Sequence, residues 1–359
     1  MAAQTAVFRI DGVSKRYGDV VALDEVTLEA GVNEYIALLG PSGSGKTALL
    51  RVLAGFERPD SGRVYLQGRD ITHLSAHERG IGFVFQNFAL FPHLTVLANV
   101  AFGLTHGADR FSAADIDKRC RAILEMVGLT GLEHRGVDQI SGGQRQRVAL
   151  ARTLVMQPKL VLLDEPLGAL DANLRGRMRN ELRAIREQMG VTFLHVTGSE
   201  TEALAMGDRV VVLDAGRVIQ TGTPDQVYDT PQTPEVAHYL NRFNLFDGTL
   251  QAGRFTGPFG TVAARSARKA ARDVYAVRYD RVRVLPADAP HTGPALRARF
   301  IASEYLGSSV MNFFQAEGHH VLEVEHHLSL GAPETYVPRQ DYLLTWNPEQ
   351  AIVFGREAA

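Results

Sequence analysis

Gly40-Pro41-Ser42-Gly43-Ser44-Gly45-Lys46-Thr47 fits the pattern Gly-x-x-x-x-Gly-Lys-Thr, and its flanks decide the fold. Before it runs Tyr35-Ile-Ala-Leu-Leu39, a short apolar stretch of buried-strand type. After it comes Ala48-Leu-Leu-Arg-Val-Leu-Ala54, with apolar residues at helical spacing. Strand, glycine-rich turn and helix form the context in which this pattern cradles phosphate. Gly43 and Gly45 let the backbone approach closely, so that its N–H groups wrap the anion. A helix opening near Lys46 adds the positive end of its dipole. Lys46 is expected to reach the β- and γ-phosphates, and Thr47 to ligate Mg²⁺. The competing reading is an ordinary glycine turn between strand and helix, and the complete pattern with both flanks argues against it.

The chain has 359 residues, which predicts two domains. With 45% hydrophobic and 22% charged residues, it is of ordinary globular composition. Its net charge of −2 gives no general pull toward nucleic acid or anionic lipid. The single cysteine, Cys120, excludes an internal disulfide and suits a reducing cytoplasm, and it reads as an inert helix residue. The first residues, Met-Ala-Ala-Gln-Thr5, carry no basic and apolar leader pattern, so no export signal is expected. The longest stretch without Asp, Glu, Lys or Arg, residues 80–108, is interrupted by Gln86, Asn87, Pro92, His93 and Asn99, which argues against a membrane-spanning helix.

Residues 7–30 alternate weakly between glycines and predict a small antiparallel region. Tyr17 lies there as a candidate for stacking on an adenine, although most tyrosines are simply half-buried. Turn signals flank a strand at Arg63-Val-Tyr-Leu66. Ile81-Gly-Phe-Val-Phe-Gln86 reads as a strand whose exit glutamine either touches Mg²⁺ and attacking water or merely caps the strand. The apolar, loop-like Phe88-Ala-Leu-Phe-Pro-His93 hints at a protein contact. An amphipathic helix is predicted over 113–129, with Ile116, Cys120, Ile123, Leu124 and Val127 on one face.

Ser141-Gly142-Gly143-Gln144 opens another helix and makes a second anion-binding end. Arg145, Arg147 and Arg152 form a basic stripe that could face nucleic acid, but they read in preference as a solvated helix face. Lys159-Leu-Val-Leu-Leu-Asp-Glu-Pro166 places Asp164 and Glu165 at the end of a strand buried on both faces. In a parallel sheet that end lies beside the glycine-rich loop. Asp164 suits Mg²⁺, and Glu165 suits polarising water. A charged helix over 174–189 and buried strands at Thr192–Thr197 and Arg209–Leu213 follow.

Composition shifts near Thr230-Pro-Gln-Thr-Pro234, and strands then alternate with turns at Phe246–Leu250, Val274–Val277, Ala298–Ile301 and Tyr342–Trp346. This predicts a small all-β domain. Its basic run Arg265, Arg268, Lys269, Arg272, Arg278, Arg281 and Arg283 suggests nucleic acid only weakly, because no exposed aromatic pair accompanies it.

Taken in order, the glycine-rich loop, Gln86, Ser141 to Gln144, Asp164-Glu165 and Ala169-Leu-Asp171 resemble the ATP-binding subunit of ABC transporters over nearly the whole chain. The resemblance implies an α/β P-loop ATPase domain with an antiparallel β subdomain and a helical subdomain (about 87–158), spanning residues 1–238. A small all-β, oligosaccharide-binding-type barrel of regulatory role would occupy 239–359. It implies ATP and Mg²⁺ as ligands, with Tyr17, Gly40 to Ala48, Ser141 to Gln144 and Asp171 binding nucleotide. Thr47, Gln86 and Asp164 would hold the metal, and Glu165, Gln86 and Lys46 would act in hydrolysis. The implied partners are a second nucleotide-binding subunit (the same chain or a paralogue), two transmembrane permease subunits and an external solute-binding protein, without nucleic acid. The implied place is the cytoplasmic face of the cell membrane.

Among importer ATPases for polyamines, ferric ion, phosphonates, sugars and oxyanions such as sulfate and molybdate, Ala54-Gly-Phe-Glu-Arg-Pro-Asp-Ser-Gly62 and Arg242-Phe-Asn-Leu-Phe-Asp-Gly248 look most like the spermidine/putrescine type. Three residues depart from the family. Ala48 replaces Ser or Thr, Gly168 replaces Ser, and Gly198 in Val196-Thr-Gly-Ser-Glu200 stands where the family has the switch-loop histidine. The last departure predicts retained ATP binding with weakened hydrolysis, as in a degenerate subunit paired with an active paralogue. His195, on the opposite face by strand alternation, is expected to be a core histidine bonded to backbone.

Overall fold

The computed structural model describes residues 6–107, 110–168, 170, 172–240, 242–264, 268–332 and 334–356. The chain divides into two compact units, residues 1–230 and 231–359.

In the first unit the antiparallel pair β1 (Phe8–Tyr17) and β2 (Val20–Ala30) joins β4 (Ser61–Leu66) and β5 (Arg69–Asp70) in one sheet. A second sheet runs in the order β10-β9-β3-β8-β7-β6. Its strands are β3 (Tyr35–Leu39), β6 (Gly82–Val84), β7 (Leu160–Asp164), β8 (Thr192–Thr197), β9 (Arg209–Asp214) and β10 (Arg217–Gly222). All pairs are parallel except the edge pair β9/β10. Every residue of β3 and β8 is buried, as expected for parallel strands covered on both faces.

Pleating sends alternate β3 residues into two different cores. Ile36 and Leu38 join β1, β2 and the helix α1 (Lys46–Ala54), which lies between the two sheets. Tyr35 joins Phe193 in the other core, under α2 (Val96–His106), α3 (Ala113–Met126) and α4 (Gly142–Leu154). Three more helices complete the unit: α5 (Ala172–Met189), α6 (Glu200–Met206) and α7 (Pro224–Asp229). Among the described residues, no helix is long and apolar enough to cross a membrane.

The helix expected over 113–129 buries Cys120, Ile123 and Leu124 but ends at Met126. Gly128, in the left-handed region at φ 66°, turns the chain so that Leu129 N–H reaches Leu124 O at 2.8 Å. The apolar loop after Gln86 is strapped down rather than loose. Asn99, fully buried, bonds Phe91 N–H and O and the carbonyls of Leu94 and Thr95. Arg152 donates to Phe88 O and Ala89 O at 2.9 and 2.7 Å, so it is not part of a solvated face. Arg147 likewise turns inward, to Glu181 and Val127 O.

The second unit begins with α8 (Pro234–Tyr239). The expected boundary after residue 238 falls inside this helix. Three sheets follow. One has the order β11-β16-β22-β15, built from β11 (Phe243–Asp247), β15 (Arg268–Lys269), β16 (Val274–Arg278) and β22 (Ile352–Gly355). A hairpin sheet holds β12 (Thr249–Gln251), β13 (Arg254–Gly257) and β14 (Gly260–Ala263). The third, β17-β21-β18-β19-β20, uses β17 (Arg283–Pro286), β18 (Ala295–Tyr305), β19 (Ser309–Ala316), β20 (Val321–His327) and β21 (Asp341–Thr345).

The single strand expected over Phe246–Leu250 is two strands broken at Gly248. The Phe255 ring lies where a Cβ at Gly248 would stand, 2.5 Å away. An aromatic core of Phe246, Phe255, Phe259, Tyr275, Phe314 and Trp346 fills this unit. In the basic run, Arg272 pairs with Asp247, and Arg278 and Arg281 pair with Asp280, while Arg265 lies outside the described residues.

Candidate nucleotide site

The site forms where parallel strands end in loops. The glycine-rich loop leaves β3 and enters α1 at Gly45, whose φ of 103° only glycine adopts without strain. A Cβ there would also meet Ala22 O at 2.3 Å. Gly43 takes φ 81° with open space before it. The turn after β9 buttresses the loop, with Gly216 N–H donating to Ser44 O at 3.0 Å. Sequence reasoning passed over this support, although Asp214-Ala-Gly-Arg217 carries a hairpin-turn signal.

Lys46 is 8% exposed, and its Nζ donates to Gly40 O at 2.6 Å and Pro41 O at 2.8 Å. Burial lowers its pKa, while the carboxylates of Glu165 and Asp164 nearby pull it back up. Asp164 moves the opposite way, raised by burial and then by Glu165. Glu165 leaves β7 with φ 44° and donates its N–H to Val196 O at 3.0 Å. Gln86 Nε2 donates to Glu165 Oε2 at 3.0 Å, so it is more than a strand cap. Thr47 and Ser42 are exposed, Pro41 is half-buried, and Ala48 is buried in α1. Ser44 Oγ is buried beside Gly40 and has no hydrogen-bond partner among the described residues.

Lys46, Asp164, Glu165 and Gln86 therefore meet. Ser141 and Gln144 instead close on each other at the start of α4. Ser141 Oγ accepts from Gln144 N–H at 3.3 Å, and Gln144 Oε1 accepts from Ser141 N–H at 2.8 Å. Gly142 is half-buried, and at Gly143 a Cβ would strike Leu174. Tyr17 pairs with Val20 at the tip of the β1/β2 hairpin, and Leu23, three residues after Val20, borders Gly45. Tyr17 is 45% exposed and its hydroxyl is bonded to Glu57; partial burial, and then that bond, push its pKa up to about 12. Asp171 and Ala169 lie outside the described residues.

Gly198 follows β8 with an exposed backbone and nothing within 4 Å of a Cβ. His195 is fully buried as expected, but its partner is a side chain. Nδ1 shares a hydrogen bond with Tyr35 Oη at 2.9 Å, because the ring points across the sheet to β3 rather than along β8. Burial lowers its pKa to about 3.

A wrapped loop, a buried lysine and paired acids at the ends of parallel strands define a P-loop nucleotide-hydrolysing domain. Residues 23–168 match the family described as "ABC transporter". The sulfate/thiosulfate import ATP-binding protein of Caulobacter vibrioides is 49% identical over 273 residues, 76% of this chain and 80% of that protein. The corresponding protein of Burkholderia mallei is 44% identical over 88% of this chain and 90% of its own length. A spermidine/putrescine import ATP-binding protein of Acidothermus cellulolyticus is 52% identical over 66% of this chain and 61% of that protein. Among solved structures, cbiO1 of Clostridium perfringens, part of an ABC transporter complex, superposes with TM-score 0.59 at 29% identity, over 66% of this chain and 95% of that one. A dimeric bacterial ABC transporter cassette gives TM-score 0.55 at 33% identity, over 60% of this chain and 98% of that one. The chain belongs to the ATP-binding subunits of ABC importers, and it is a transport-coupled ATPase.

Proposed function

We propose that this subunit drives import of an oxyanion of the sulfate/thiosulfate type. The supporting observation is that the sulfate/thiosulfate relative of Burkholderia mallei aligns over 88% of the chain, including most of the second unit. The spermidine/putrescine reading keeps its own support, 52% identity, over a shorter 66% of the chain. In this reading two permeases and an external binding protein carry the solute, and the chain works against the cytoplasmic face of the membrane. The strands of the second unit form an oligosaccharide-binding-type barrel with a regulatory role.

The residues present fit ATP with Mg²⁺. The N–H groups of Gly43 to Thr47 and Lys46 Nζ face the phosphates once Lys46 exchanges its bonds to Gly40 and Pro41. Tyr17 offers a ring face to the adenine. Thr47, Asp164 and Gln86 would hold Mg²⁺, which would supply charge neutralisation on the phosphate oxygens. Glu165 takes a proton from water at Oε2, and Gln86 Nε2 sets the direction of that carboxylate. Two copies pair head to tail. Ser141 to Gln144 of one, with Asp171, then cover the nucleotide held by the other.

Two measurements test this reading. Lys46→Ala abolishes ATP hydrolysis by the purified protein, and unchanged turnover would sink the loop's assignment. Cells lacking this chain lose uptake of labelled sulfate but keep that of labelled putrescine. The reverse pattern establishes the polyamine reading instead.

A further inference from the structure

The loop between β8 and α6 lies next to the acids of β7. Gly198 gives it no side chain, so its position is set by its neighbours. Hydrogen bonds through Thr197, Ser199 and Glu202 help close it. Ser199 N–H donates to Thr197 Oγ1 at 2.9 Å, Glu202 N–H donates to Ser199 Oγ at 3.3 Å, and the Thr197 hydroxyl donates to Glu202 Oε2 at 2.8 Å. Ser199-x-x-Glu202 is the spelling of a capping box, in which the glutamate returns to the N-cap N–H. Here Thr197 has taken that N–H, and the carboxylate turns inward, 5% exposed.

A buried carboxylate needs more than one donor. Two stand near it. Arg175 Nε is 3.9 Å from Oε1 and His195 Nε2 is 3.9 Å from Oε2. Both nitrogens are buried without a hydrogen-bond partner among the described residues, and each lies within ion-pair distance of this carboxylate. Arg175 also donates from Nη2 to Leu170 O at 2.9 Å. Leu170 belongs to the loop that runs on from Glu165, where Gly168 N–H donates back to Glu165 O at 3.1 Å.

We infer that Glu202 is a positioning residue for hydrolysis, tying the loop at Gly198 to the loop after Glu165 through Thr197 on one side and Arg175 on the other. It touches no reacting atom. It fixes the two backbone segments that flank Glu165, one of which bonds Glu165 N–H through Val196 O. This rests on the role of Glu165 proposed above. The signal in the sequence was the Ser-x-x-Glu pattern right after Gly198, but only the structure shows that its carboxylate leaves the cap.

The test uses the full chain. Glu202→Gln keeps the size and an acceptor for Thr197 but removes the charge facing Arg175, and Thr197→Val removes only the hydroxyl. Each is expected to lower kcat about 10–100-fold, the cost of a misplacement of about 1 Å near a reacting centre. KM for ATP stays within error, while the melting temperature falls by a few degrees, because each change leaves a buried polar group short of a partner. Combining Glu202→Gln with Arg175→Gln costs no more than the worse single change, because both break one link. Unchanged kcat, additive losses, or a fall in kcat that tracks lost ATP binding in every variant would overturn the inference. Glu165→Gln is assayed alongside. Full turnover there overturns the role of Glu165 and this inference with it, whereas loss there beside an unaffected Glu202→Gln overturns this inference alone.

Discussion

At the scale of single residues, Gly198 and His195 show what β8 and the turn after it offer to the site, one an open position and the other a buried ring. A histidine has room at 198, since nothing lies within 4 Å of a Cβ there. One preorganised donor to the reacting phosphate is worth about 10²–10³ in rate. Gly198→His is therefore expected to raise ATP turnover by at least about tenfold, measured in the assembled transporter. If the wild type already turns over as fast as its relatives and the substitution does nothing, another group fills that role. His195 cannot be that group while its ring is buried against Tyr35. Its burial has a pH consequence. The folded state holds the imidazole neutral down to about pH 3, while an unfolded chain protonates it below about 6.5. The unfolded state then binds the extra proton, so folding stability falls as pH drops below 6.5, by about 1.4 kcal/mol per pH unit from this residue. Urea melts of His195→Gln between pH 7 and 5 are expected to lose that part of the slope, and an unchanged slope would place the titration elsewhere.

At the scale of elements, the carboxyl end of α1 carries the same logic as its amino end with the sign reversed. Arg79, 3% exposed, donates to Val52 O and Leu53 O of α1 and to Thr72 O and Leu74 O, and among the described residues no carboxylate pairs with it. The negative end of the helix dipole serves in place of an acid. Arg79→Met, similar in bulk and uncharged, leaves these carbonyls unsatisfied and is expected to cost about 3 kcal/mol in chemical denaturation. A loss below about 0.5 kcal/mol would mean that water satisfies them instead. Arg79 shows where the sequence falls silent. The glycine-rich loop, β7 with its acids and the capped start of α4 are local patterns, written within a dozen residues, and they could be read directly. What Arg79, Asn99, Arg152 and Gly216 do depends on partners brought near only by the fold, and an isolated arginine or asparagine spells nothing. For the same reason the basic stripe on α4 misled, since Arg147 and Arg152 point at backbone and acid that periodicity cannot see. Gln86 lies between these cases. Its strand exit was legible, but the bond to Glu165, 79 residues away, was not.

At the scale of the whole molecule, one chain presents half of each proposed composite site, so assembly is the expected readout. Glu165→Gln should hold ATP without consuming it, and two such copies are expected to elute as a dimer with Mg-ATP and as a monomer without nucleotide. A monomer at every ATP concentration would count against head-to-tail pairing. The strapping of the Phe88–His93 loop reaches further than this. Arg152, near one end of α4, grips that loop, and Ser141 caps the other end. The helix between Ser141 and Arg152 makes a strut of about 16 Å. A load applied to the loop thus has a bonded route to Ser141, through the Arg152 guanidinium and along the backbone of α4. In mechanical terms the helix is a pushrod, so a shift of the loop that α4 follows as a rigid body would move Ser141 with it.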